Sequence, residues 1–131
     1  MIVNEPRFLE LKEVLYLHDE SLERFGGATG IREIGLVESA LGSAQNSYWY
    51  GHGGLFEIAA AYAFHIAESQ AFVDGNKRTA ASAAIMFLRI NRVLFPKDDG
   101  TVYAAMIEIA NKRLDKVGLA NVLRKIVEKS N

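Results

Sequence analysis

Two alanine-rich stretches, separated by a loop of only a few residues, constrain this chain more than any other feature. Leu55 to Ser69 carries Ala59, Ala60, Ala61, Ala63 and Ala67, and Lys77 to Asn91 carries Ala80, Ala81, Ala83 and Ala84. Alanine is the strongest helix former, and its small side chain lets two helix axes approach closely. The pattern predicts two central helices packed on each other, joined by a loop from Gln70 to Asn76. Phe64, Met86, Phe87 and Leu88 are expected to fill the surrounding core.

The remainder also reads as helix. Phe8, Leu11, Leu15, Leu22 and Phe25 recur at helical spacing, Val14 and Leu17 widen the stripe, and charges take the other face. Pro6 suits the start of this helix and Gly26-Gly27 its end. Gly30 to Gly35 reads as a turn, followed by a short helix through Leu36, Val37, Ala40 and Leu41. Tyr48 to Gly54 mixes aromatics with glycines, shows neither period, and is expected to form a mobile flap beside the site. Val93 to Pro96 reads as a brief extended piece. Asp98 to Thr101 offers caps for a helix ending near Leu114, and Gly118 to Lys129 forms a last amphipathic helix. With 131 residues, half of them hydrophobic, and no repeat or linker, the expectation is an all-α bundle of about six helices forming a single domain, 1–131.

Charge and composition narrow the function. The net charge is -1, from 15 basic and 16 acidic residues, which argues against a general nucleic-acid binder. The chain has no cysteine, which removes disulfides, thiolate metal sites and cysteine nucleophiles. The first residues lack a basic and apolar leader, and no apolar run reaches membrane-spanning length. A cytoplasmic protein is expected.

The informative segment is Ala71-Phe72-Val73-Asp74-Gly75-Asn76-Lys77-Arg78. Glycine precedes a helix start, and Asn76 is expected to cap that helix and leave its first N–H groups open. Lys77 and Arg78 put positive charge in the first turn, where the helix dipole disfavours it. A bound anion would relieve the conflict, because open N–H groups and cations together make a phosphate site. Asp74 is a lone carboxylate suited to hold Mg²⁺ against phosphate oxygens, and Phe72 is expected to anchor the loop in the core. The plainer reading, a capped helix with solvated charges, fits the same residues taken alone.

Gln70-Ala71-Phe72-Val73-Asp74-Gly75-Asn76-Lys77-Arg78 resembles the Fic/Doc motif His-Pro-Phe-x-Asp/Glu-Gly/Ala-Asn-Gly/Lys-Arg. Gly30 to Leu41, Ala61 to Ala67 and Ala84 to Asn91 resemble the segments around it, so the similarity covers most of residues 8 to 115. Lys77 in place of glycine, and Ala81 in place of a second arginine, resemble the death-on-curing (Doc) branch, toxins that phosphorylate a threonine of elongation factor Tu. The resemblance implies ATP and Mg²⁺ as cofactors and a protein substrate such as a translation factor. It also implies the site: Asp74 on the metal, Gly75, Asn76 and Lys77 as the phosphate nest, Arg78 clamping phosphate oxygens, and Phe72 on the binding loop. The chain lacks the Ser/Thr-x-x-x-Glu-Gly/Asn motif of self-restrained Fic proteins, which implies inhibition by a separate antitoxin.

The resemblance breaks at Gln70, where the family keeps the histidine that deprotonates the target hydroxyl. A carboxamide has no useful basicity near neutral pH. Ala71 also replaces the usual proline, and two adjacent departures favour natural divergence over an introduced inactivating change. Among substitute bases, His52 lies in the expected flap, His65 points off another face of its helix, Asp74 would have to release the metal, and His18 reads as structural. Arg32 and Glu38 suit a buried ion pair or a cap as well as substrate contact. Trp49, with Tyr48 and Tyr50, reads as packing. Three functions follow: a Doc-like phosphotransferase impaired at Gln70, a degenerate domain that binds nucleotide or antitoxin, and a nucleotidyltransferase, which Lys77 and Ala81 disfavour.

Overall fold

The computed structural model describes residues 5–51 and 53–130. His52 falls outside them, and with it the expectation that this histidine serves as a base. Six helices account for the regular structure: α1 (Leu11–Phe25), α2 (Ile34–Trp49), α3 (Leu55–Ser69), α4 (Asn76–Ile90), α5 (Thr101–Ala110) and α6 (Lys116–Lys129). The expected all-α class holds, and no β-strand forms among the described residues, only an isolated antiparallel bridge between Ile31 and Phe72. No helix among the described residues is long and apolar enough to cross a membrane.

The two alanine-rich helices, α3 and α4, form the centre of the bundle. α3 packs most extensively on α4, then on α2 and α6, and α5 also touches it. Every residue from Ile58 to Ala63 is buried. A helix that is apolar on all sides is one enclosed by others. Inside this core Tyr62 accepts the Leu9 N–H at 3.0 Å, which ties the segment before α1 to α3. Phe87 and Leu88 are buried as expected, whereas Phe64 and Met86 sit at the core margin.

Three expectations need correction. α1 buries Val14 and Leu17, expected to widen its stripe, together with His18 and Ser21, while Leu11 and Leu15 pack at the core margin and Phe25 is exposed. Its inward face contains two polar residues because it abuts the loop between α3 and α4. α2 is 16 residues long and absorbs Tyr48 and Trp49, so the expected flap begins later. Rings account for the extension: Phe8 and Tyr48 meet edge to face at 5.9 Å, and Tyr48 and Trp49 at 4.9 Å. α5 ends at Ala110, short of Leu114. Asp98 and Asp99 do cap its start, accepting the N–H groups of Gly100 and Thr101 at 3.1 Å. Val93 to Pro96 pairs with no strand; Arg89 holds it by donating to the carbonyls of Phe95 and Pro96.

Candidate functional site

The loop between α3 and α4 is fixed from its buried side. Gln70 ends α3 in the left-handed region, with φ 51° and ψ 37°, and its Nε2 donates to the Ala67 carbonyl at 3.0 Å. Ala71 and Phe72 then turn into the core. Asn76 does not cap α4. Its carboxamide reaches back across the loop, accepting from the Phe72 N–H at 3.1 Å and donating to the Phe72 carbonyl at 3.0 Å. One side chain with a donor and an acceptor satisfies both backbone groups of a buried residue, which would otherwise cost about 1–3 kcal/mol per group.

Distant segments complete the support. The Phe72 ring stacks on the buried His18 imidazole, with centroids 3.8 Å apart and planes 11° from parallel. His18 Nε2 lies 2.8 Å from the Asp74 carbonyl. A carbonyl only accepts, so this nitrogen carries the proton. The segment after α1 adds a short ladder: the Arg32 N–H donates to the Ala71 carbonyl at 2.7 Å, and the Val73 N–H donates to the Gly30 carbonyl at 3.0 Å. The turn from Gly30 to Gly35 is thus the outer strap of the loop. Arg32 acts there through its backbone, and both Arg32 and Glu38 are exposed and make no ion pair among the described residues, so the expected buried pair does not form.

Two glycines admit this geometry. Gly75 enters α4 with φ 80°, which L side chains disfavour. A Cβ on Gly27 would come within 2.9 Å of Asp74 Oδ2. That close approach brings the neighbouring Ala28 N–H to 3.2 Å from the same oxygen, while Oδ1 accepts the Gly75 N–H at 3.0 Å.

The opposite side of the loop faces an open cavity of about 400 Å³. Gln70, Asp74, Gly75, Asn76, Lys77 and Arg78 all line it, so the sequence-predicted residues do converge. Phe72 does not: it is fully buried and supports the loop from behind. The first N–H groups of α4, on Asn76, Lys77 and Arg78, have no backbone acceptor among the described residues. The positive end of the helix dipole therefore opens into the cavity. Neither Lys77 nor Arg78 forms an ion pair among the described residues.

Each Asp74 oxygen accepts one N–H and keeps a lone pair for a cation. No group of three or more acidic or histidine side chains forms a self-sufficient metal cage among the described residues. A single carboxylate suits Mg²⁺, which is commonly held by one or two carboxylates together with phosphate oxygens.

His65 stands outside this cavity. Its Nε2 is 3.1 Å from Lys116 Nζ. Burial pushes the imidazole below its ordinary value, and the Lys116 ammonium adds to that. The sequence reading took His18 as structural, as its contacts show, but did not assign Ser21, Phe25 and Tyr103, which line the cavity. The one available signal was a His and a Ser three residues apart within the apolar face of α1.

The chain is thus an all-helical bundle whose α4 opens on a cavity of about 400 Å³ lined by Lys77 and Arg78. The Fic/DOC family profile matches residues 8–88. The protein named protein kinase doc of Escherichia phage P1 is 38% identical over 88 residues, covering 66% of this chain and 70% of that protein. Toxin Doc of Mycolicibacterium smegmatis is 38% identical over 101 residues, covering 73% and 77%. The chain belongs to the Fic/DOC family.

Proposed function

We propose that this chain is a Doc-type protein phosphotransferase site that binds ATP with Mg²⁺ and lacks its catalytic base. The observation that carries this reading is the start of α4. Three N–H groups without backbone acceptors, two cations without ion pairs and one half-satisfied carboxylate face the same cavity. That set complements a polyphosphate and its metal. In this reading the open N–H groups of Asn76, Lys77 and Arg78 cradle phosphate oxygens at the helix N-terminus, and Gly75, whose own N–H is taken by Asp74, shapes the turn into it. Arg78 spreads its N–H groups over the transferred phosphoryl, and Asp74 holds Mg²⁺. When bound, Mg²⁺ neutralises phosphate charge.

The transfer forms a bond between a target hydroxyl oxygen and the γ-phosphorus, breaks the bond to the β–γ bridging oxygen, and releases ADP. The hydroxyl proton must leave as this occurs. The family places a histidine for that task, and Gln70 takes its position in this reading. Its amide nitrogen already donates to the Ala67 carbonyl, and its oxygen is too weak a base to take a proton. A missing general base lowers the rate by about 10²–10⁴-fold while leaving the phosphate cradle in place. The target is a protein, with the threonine of elongation factor Tu as the first substrate to try, and the regulator is a small antitoxin.

Gln70→His tests the reading. With γ-labelled ATP, Mg²⁺ and cell extract, the variant is expected to label a protein strongly and the parent chain weakly. Label arriving from α-labelled ATP instead would identify nucleotidyl transfer. Absence of γ-label transfer by both proteins overturns the proposal. A second reading, nucleotide binding without turnover, is favoured by the engaged Gln70 amide. Calorimetry with ATP and Mg²⁺ checks it: Asp74→Ala and Arg78→Ala should each weaken binding, and indifference to both would count against it.

A further inference from the structure

Packing alone does not explain Phe25. It ends α1 with 56% of its surface exposed, buries little, and lies outside the core. Tyr103, half-buried on α5, comes from a different part of the fold. Both rings meet Arg78. The guanidinium carbon lies 3.8 Å from the Phe25 centroid and 4.2 Å from the Tyr103 centroid. All three residues line the cavity. Lys77, next to Arg78 in the same helical turn, has no ring against it among the described residues.

We propose that Phe25 and Tyr103 are positioning residues, an aromatic clamp that holds the Arg78 guanidinium ready for the oxygens of a bound polyphosphate. The inference rests on the phosphate-binding reading above. A free arginine side chain loses up to about 2 kcal/mol of rotamer freedom when a ligand immobilises it. Rings that already hold the planar cation remove much of that cost before the ligand arrives. Aromatic faces attract the cation through their negative π clouds. They accept no strong in-plane hydrogen bond, so the edge N–H donors stay available. A carboxylate partner would fix the side chain equally well, but it would consume both the donors and the charge. The rings thus hold the arginine without neutralising it.

Calorimetry with ATP and Mg²⁺ on the full chain separates this from a packing role. Phe25→Leu and Tyr103→Leu keep apolar bulk without a π face, and each is expected to weaken ATP binding about two- to fivefold. Phe25→Tyr and Tyr103→Phe should bind as the parent does. Melting temperature should barely move for Phe25→Leu, because the ring is mostly exposed. In an Arg78→Ala background the leucine variants should have no further effect, which distinguishes holding the arginine from stacking on the nucleotide. ATP affinity that ignores the leucine changes, or falls as much without Arg78 as with it, overturns the clamp alone. No ATP binding by the parent chain overturns the phosphate reading and the clamp with it.

Discussion

The two sides of the loop between α3 and α4 are built on opposite plans. On the inner side, the loop's own backbone is held by partners: Asn76 holds the Phe72 N–H and carbonyl, and His18 holds the Asp74 carbonyl and stacks on Phe72. On the outer side, Lys77, Arg78 and the first N–H groups of α4 are left without anionic or backbone partners among the described residues. The difference teaches where stability and binding are located. Native proteins satisfy buried polar groups, so the inner wall carries stability, while the open donors and cations of the outer wall are where the proposed phosphate ligand would bind.

Substitutions at four positions can break or sharpen that contrast. The largest effect is expected at the junction of the two sides, where Gln70→His should raise γ-phosphoryl transfer by about 10²–10⁴-fold with little change in urea midpoint. Next, Asn76→Ala strands the Phe72 N–H and carbonyl inside the core and should cost about 2–4 kcal/mol in urea denaturation. The outer residue Lys77, changed to Ala, should move stability by no more than about 0.5 kcal/mol while weakening ATP binding. Equal stability losses at Asn76 and Lys77 would erase the distinction. His18→Gln preserves a donor near the Asp74 carbonyl and should retain more stability and more ATP affinity than His18→Leu.

The smallest effect is a pH dependence away from the site. Burial and Lys116 depress the His65 imidazole, so the unfolded chain takes up its proton first as pH falls. The stability due to neutral His65 is present above the unfolded value of about 6.5 and is lost as pH drops toward the lower folded value. His65→Gln should flatten that part of the melting profile between neutral and mildly acidic pH, and an unchanged slope would locate the titration elsewhere.

Local chemistry explains which features the sequence made legible. The bounds of α3 and α4 follow from alanine runs ended by a loop with its own glycine, and both match to within a residue. The convergence of Gln70, Asp74, Lys77 and Arg78 was legible because one loop and one helical turn carry all of them. Asn76 was misread as a cap because sequence does not show which way a carboxamide turns. Gly75 in the left-handed region takes over the helix entrance and frees Asn76 for Phe72. His18, Phe25 and Tyr103 were illegible as site residues, since their contacts cross 25 to 56 positions of chain. Nothing in the spacing of α1 distinguishes a histidine that supports a loop from one that fills a core.

The two rings around Arg78 lie on either side of it along the chain, Phe25 before and Tyr103 after. Phe25, His18 and the strap from Gly30 to Gly35 all leave the ribosome before the loop and helix they contact. Tyr103 follows Arg78 by a full connecting segment, so a nascent chain that stops short of α5 presents the arginine with only one of its two rings.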